Sequence, residues 1–156
     1  MQVLDLCTPN VVTIEPTATL RVASLAMRNA HVGALVVVDD KAGVKRPIGM
    51  LTDRDIVVAV IAVPGARPEG IRVCDAMSTR VAVARADEGL LSALNTMRME
   101  GVRRLPVIGA DGGLQGILTM DDVLDAVADV LANLAEASRW GRKRELASRS
   151  RIELGS

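Results

Sequence analysis

The feature that most constrains this 156-residue chain is an internal repeat. Sliding the sequence along itself by 70 positions superposes Val3 on Val73, Asp5 on Asp75 and Val11 on Val81. The same offset carries Leu20 onto Leu90, Ala23 onto Ala93, Met27 onto Met97 and Val37 onto Val107. Three additional residues in the first copy, within "DDKAGVKRP", change the offset to 67. Gly49, Thr52 and Asp55 then align with Gly116, Thr119 and Asp122. Two units of about 65 residues are too few for a solenoid array, so each must bury its apolar face against the other.

Both copies carry the same succession of signals. The short runs "VVTI" and "VAVA" read as strands. In "TLRVASLAMRNA" and "DEGLLSALNTMRMEG", apolar residues recur at three- and four-residue spacing, the mark of an amphipathic helix. Next come the strands "ALVVVDD" and "RLPVIGADG", then "PIGML" and "LQGIL". A second helix starts at each Thr-x-x-Asp, where Thr followed three residues later by an acid is an ordinary helix start. The expected order is β-α-β-β-α, twice. "VPGARPEG", rich in Pro and Gly, reads as a linker.

With those motifs in order, the chain resembles a tandem pair of CBS domains, a Bateman module. The resemblance covers about residues 3 to 130 and rests on the paired starts "VLDLCT" and "VCDAMS". It rests also on "HVGALVVVD" and "VRRLPVIG", and on the twin "GMLTDRD" and "GILTMDD". It implies a mixed α/β (α+β) fold of two pseudo-symmetric β-α-β-β-α repeats packed through their sheets. The expected boundaries are repeat one over 1–62, a linker over 63–71, repeat two over 72–130, and a helical, basic extension over 131–156. The resemblance further implies a regulatory, non-catalytic module that binds an adenine nucleotide in the cleft between repeats, and frequent dimerisation.

The chemistry of such a ligand selects residues. A ribose cis-diol can donate both hydroxyl protons to one carboxylate in charge-assisted hydrogen bonds, and Asp55 and Asp122 hold the matching positions. Phosphates require donors and positive field, and Thr52 and Thr119 stand at helix starts, where both are available. The same residues also suit plain capping, with Thr as cap and Asp at the positive helix end. Adenine requires apolar faces and backbone groups. The resemblance assigns these to Val11 and Val12, and to Val81 and Ala82, beside Gly33, Ala34 and Leu35; each would serve equally as strand core. Where repeat one has Gly33 and Ala34, repeat two has Arg103 and Arg104, positions whose basic side chains reach phosphates in the family. Adjacent strand residues point to opposite faces, so one arginine, Arg104, is expected in the cleft, with Arg103 second; a solvated strand end is the other reading. Arg54 suits either a site or a helix surface, and His31 reads as structural.

Composition closes off other classes. There is no Phe or Tyr and one Trp, Trp140, so the aromatic platforms typical of single-strand nucleic-acid binding are missing. Net charge is zero, yet Arg139 to Ser156 holds six positive and two negative residues, leaving the tail at +4 and the remainder at −4. That tail is the basis for an alternative reading as a nucleic-acid-binding or purely protein-interaction module; a solvated helix end is the simpler account. Two cysteines and one histidine suggest no metal site and a reducing, cytoplasmic setting. The start "MQVLDLCTPN" lacks an export-signal pattern, and the run Ile56 to Val63 is too short to span a bilayer.

The expected ligand is AMP, ADP, ATP or S-adenosylmethionine, with no required cofactor and no catalytic residue. The apolar "DIVVAVIAV" and "DVLDAVADVL" hold more hydrophobic surface than one face uses, so a homodimer through these helices is expected. Val123, Val127, Val130 and Leu134 fit one face toward a partner helix. Arg104 has Ala34 as its counterpart, so the Thr119/Asp122 site is expected to bind first and to depend more on phosphate.

Overall fold

The structure, a computed structural model, describes residues 1–153, with side chains described as far as Glu145. The end of the basic tail, residues 154–156 and the side chains of Arg149 and Arg151, lies outside the described residues. The chain divides into two units, Met1–Met120 and the segment from Asp121 onward.

In the first unit the elements run α1 (Val3–Leu6), β1 (Thr13–Ile14), α2 (Leu20–Ala30), β2 (Ala34–Lys41), β3 (Val44–Thr52) and α3 (Asp53–Ile56). The second copy follows as α4 (Val73–Ala76), β4 (Ala84–Arg85), α5 (Leu90–Glu100), β5 (Arg104–Ile108) and β6 (Leu114–Thr119). α6 (Met120–Glu153) follows β6 and makes up the second unit.

Local chemistry sets the ends of the helices. Thr19 caps α2, its hydroxyl accepting from Val22 N at 3.3 Å. Leu20, Ala23 and Met27, spaced by three and four, form the buried face of α2. α2 stops at His31 and α5 at Gly101, both left-handed at φ 54° and 65°. That conformation satisfies the last carbonyls, at no steric cost for glycine and at some cost for histidine.

Each copy forms its own three-stranded sheet, in the orders β1-β2-β3 and β4-β5-β6. The first pair in each is parallel and the second antiparallel, with Ala34 opposite Thr52 and Arg104 opposite Thr119. Both antiparallel ladders shift register at the same repeat position, Val37/Val38 and Val107/Ile108. The central strands are buried on both faces, which explains why Leu35 through Val38 are apolar without alternation.

The two copies exchange their opening segments. Val3 N donates to Glu88 O and Leu4 N to Ala86 O, so α1 docks on the second copy. Val73 N donates to Ala18 O and Cys74 N to Pro16 O, docking α4 on the first. Val3 and Val73, the paired residues that opened the repeat alignment, are both fully buried; Val73 joins the core formed by Leu20, Leu35 and Leu51. Burying each valine contributes about 1.5–3 kcal/mol. The exchange continues at sheet level, where Thr8 bridges Ile117 and Met50 bridges Ser78 through reciprocal backbone hydrogen bonds of 2.9–3.0 Å.

The mixed α/β class and the doubled architecture agree with expectation, with differences in detail. "VVTI" and "VAVA" shrink to two-residue strands because Val11, Val12, Val81 and Ala82 run outside the ladders. The paired starts "VLDLCT" and "VCDAMS" form short helices, α1 and α4, additional to the expected β-α-β-β-α order. α3 gives way after one turn to a π-helical turn, Val57–Ile61, whereas its counterpart α6 runs for 34 residues, about 50 Å. No helix among the described residues is long and apolar enough to cross a membrane.

Candidate functional site

Two cavities open within the first unit, and each contains the threonine of one repeat motif. The larger, about 490 Å³, is bordered by Thr52 and Asp55 from the first copy and by Arg80, Ala82 and Arg103 from the second. The smaller, about 320 Å³, is bordered by Thr119 and Arg104 from the second copy, and by Val11, Val12, Gly33 and Ala34 from the first. Each is therefore walled by both repeats, a consequence of the exchanged opening segments.

Thr52 and Asp55 form a closed reciprocal cap. Asp55 Oδ2 accepts from Thr52 N at 2.7 Å and from the Thr52 hydroxyl at 2.8 Å, while Asp55 N donates to Thr52 Oγ1 at 3.2 Å. The carboxylate is half-buried and held by one oxygen only. Oδ1 retains its lone pairs among the described residues, so it can accept both protons of a cis-diol without disturbing the cap. Capping thus occupies one oxygen of the side chain and leaves the other open to a donor. Thr119 starts α6 in the corresponding way in sequence. Asp122, the third residue of α6, belongs to the second unit.

The cations are distributed unequally between the two cavities. Arg54, Arg80, Arg103 and Arg104 all border the Thr52/Asp55 cavity, and only Arg104 borders the Thr119 cavity as well. Arg103 precedes β5, so the strand alternation that would turn it away from Arg104 does not apply to it. Arg104, expected beside Thr119, borders that cavity, and Arg103 borders the Thr52/Asp55 cavity alone. Arg80 is paired with Glu100 at 2.9 Å; the guanidinium groups of Arg54, Arg103 and Arg104 have no hydrogen bond or ion pair among the described residues, although Arg54 N donates to Asp53 Oδ1 at 2.8 Å.

Other expected residues divide between the two cavities. Val11, Val12, Gly33 and Ala34 come together at the smaller, and Ala82 lies at the larger; Val81 borders neither. His31, expected to be purely structural, caps α2 and also lies on the smaller cavity. Arg80, Met50 and Ser78 were missed. Arg80 had a signal, since it follows "AMST" at the start of a cavity-facing run; Met50 and Ser78 are brought in by their cross-repeat bridge, which no local pattern announces. Among the described residues no group of three His, Cys, Asp or Glu could hold a metal ion.

A family model described as CBS domain matches residues 3–62 and again residues 73–129. An uncharacterised protein of Methanopyrus kandleri is 34% identical over 127 residues, covering 81% of this chain and 63% of its own length. Among solved structures, CBSX2 in complex with AMP is 27% identical at a TM-score of 0.71, covering 83% of this chain and 97% of that one. The cytosolic domain of the Mg2+ channel MgtE in complex with ATP is 30% identical at a TM-score of 0.67, covering 80% of this chain and 48% of that one.

Proposed function

Because the chain belongs to the CBS-domain family, as a tandem pair of repeats, we propose that it is a regulatory module that senses an adenine nucleotide in the clefts between the repeats and does not turn it over. One observation carries the reading: a half-buried carboxylate with an uncommitted oxygen faces a cavity rimmed by guanidinium groups and by the apolar Met50, Ala82 and Val102. A ribose, a phosphate and a base each find their chemical counterpart there. The AMP and ATP held by the two related structures support the adenosine class of ligand, and S-adenosylmethionine offers the same ribose and base. We place the repeats at 1–62 and 72–130, joined by the linker 63–71, with the protein in the cytoplasm.

The test is thermal. At a hundredfold excess over the dissociation constant, one bound nucleotide adds about 2.7 kcal/mol of stability, which at this size raises the melting temperature by roughly 5–10 °C. ATP, ADP and AMP at millimolar concentration should each shift the melt, and no released phosphate should accumulate. A melt unmoved by all of them, and by S-adenosylmethionine, removes the reading.

The sensor is proposed to act as a homodimer. Val57, Val58 and Ile61 on the helical turn after Thr52 are 52%, 56% and 78% exposed, an apolar patch that association would cover. Light scattering should give twice the chain mass, and Ile61→Asp should shift it toward the mass of one chain. A wild-type monomer at both low and high salt ends this part of the reading.

A further inference from the structure

The two cavities have the same architecture but unequal charge. Four arginines border the Thr52/Asp55 cavity against one at the Thr119 cavity. In three of the four, Arg54, Arg103 and Arg104, the guanidinium has no anionic partner among the described residues, and the fourth is only partly neutralised by Glu100. The single carboxylate facing them, Asp55, is already engaged through Oδ2. Like charges gathered around one opening repel one another unless an anion fills it. The smaller cavity has less positive charge, with Arg104 as its one bordering arginine. A side chain at Gly33, on its wall, would meet Asp53 Oδ2 at 3.1 Å, so a carboxylate stands directly behind that wall.

Resting on the nucleotide reading above, we propose that the cavities are graded by phosphate. The Thr52/Asp55 cavity takes the polyphosphate chain of a nucleoside triphosphate, and the Thr119 cavity takes a nucleoside carrying one phosphate or none. Guanidinium forks suit this task, because each can place two parallel N–H donors on phosphate oxygens. Arg54 approaches from the first copy and Arg103 from the second, so a chain of phosphates spans the repeats where a single phosphate would reach one side. Arg104, common to both openings, lets the charge at one site bear on the other.

Calorimetry with ATP, AMP, adenosine and inorganic tripolyphosphate tests the grading on the wild type, on Arg54→Ala/Arg103→Ala, and on Arg98→Ala. Arg98 lies on α5, bonded to Asn95, and borders neither cavity, so it controls for loss of charge alone. The wild type should bind ATP about 30-fold more tightly than AMP at one of two sites. The double variant should lose about 30-fold for ATP and for tripolyphosphate, and under about threefold for AMP and adenosine. Arg98→Ala should match the wild type. Nucleotide binding in which ATP and AMP are equal at both sites, or in which the double variant weakens both alike, overturns the grading and leaves the nucleotide reading standing. Tripolyphosphate binding that the double variant abolishes, with adenosine and AMP binding nowhere, supports the phosphate site and removes the nucleotide reading instead. An Arg98→Ala loss as large as that of the double variant overturns the assignment, since bulk charge would explain it.

Discussion

Gly116→Val should lower the melting temperature by roughly 6–12 °C, and Gly49→Val by a smaller amount. These are the glycines of the doubled motif, and neither has a positive φ. A side chain at Gly116 would place its Cβ 2.5 Å from Cys7 Sγ and 3.0 Å from Thr8 O. At Gly49 the equivalent contacts are Met77 Sδ at 2.5 Å and Ser78 O at 3.1 Å. Each glycine therefore lies where the opening segment of the other repeat crosses, with its backbone fixed by a reciprocal bridge. Overpacking of such a crossing costs about 1–3 kcal/mol, and valine's branches push toward the upper end. Met77 is unbranched and can swing aside; Cys7 has one rotatable bond and the Thr8 carbonyl has none to spare. The milder Gly116→Ala isolates the cause. Adding Cys7→Ala should recover part of its loss, whereas Cys7→Ser, which keeps an atom in the sulfur's place, should recover little. A Gly116→Val protein that melts with the wild type would mean the crossing is not tight.

The doubled glycines are visible in the sequence, but the crossing segments that require them are not. Repetition gave the number of units and the order of their main elements, because both copies solve the same burial problem with the same spacing of Leu20, Ala23 and Met27 or Leu90, Ala93 and Met97. The crossover was less visible. Val3 and Val73 mark paired starts in the repeat, but nothing local shows that each is buried against the other copy. Short helices such as α1 contain too few residues to show a period, and their partners are distant in sequence, Glu88 and Ala86 for α1 and Ala18 and Pro16 for α4, so only tertiary structure defines them. The Thr52/Asp55 cap was legible as a motif, since its hydrogen bonds are local. Arg103 precedes β5, so the alternation of strand residues does not fix its direction relative to Arg104. Arg80 escaped because its cavity is built by the exchange itself.

On the proposed reading, the same exchange would link binding to response. Thr52, Arg54 and Asp55 belong to one repeat and Arg80, Ala82 and Arg103 to the other. A ligand that touches both favours the arrangement in which they close on it, and it can shift that equilibrium only by its difference in affinity between closed and open forms. Contacts that a ligand makes with one repeat alone add affinity without signal. The arginines on opposite walls are therefore the groups through which a polyphosphate would be read out, while the diol carboxylate supplies grip.

Asp55→Ala should weaken nucleotide binding at the larger cavity by about 100-fold. Two charge-assisted hydrogen bonds from a ribose diol to Oδ1 would be lost, each worth about 1.5–3 kcal/mol when sheltered and less at this half-buried position; about 2.7 kcal/mol in all corresponds to that factor. The substitution also opens the cap, since Oδ2 no longer accepts from Thr52 N and Oγ1. Loss of the cap costs about 1 kcal/mol, a fall of roughly 2–4 °C in melting temperature. Asp55→Asn separates the two effects. Its amide oxygen can still accept from Thr52 N and preserve most of the melt, but it offers the diol no charge. It should bind ATP nearly as poorly as Asp55→Ala. The ligand supplies the complementary test. Wild type should prefer ATP to 2′-deoxyATP by about tenfold, one hydrogen bond's worth, and both Asp55 variants should bind the two alike. If Asp55→Ala lowers the melt yet binds ATP as the wild type does, or if its preference for the 2′-hydroxyl persists, then Asp55 serves only as the cap of α3 and the diol is held elsewhere.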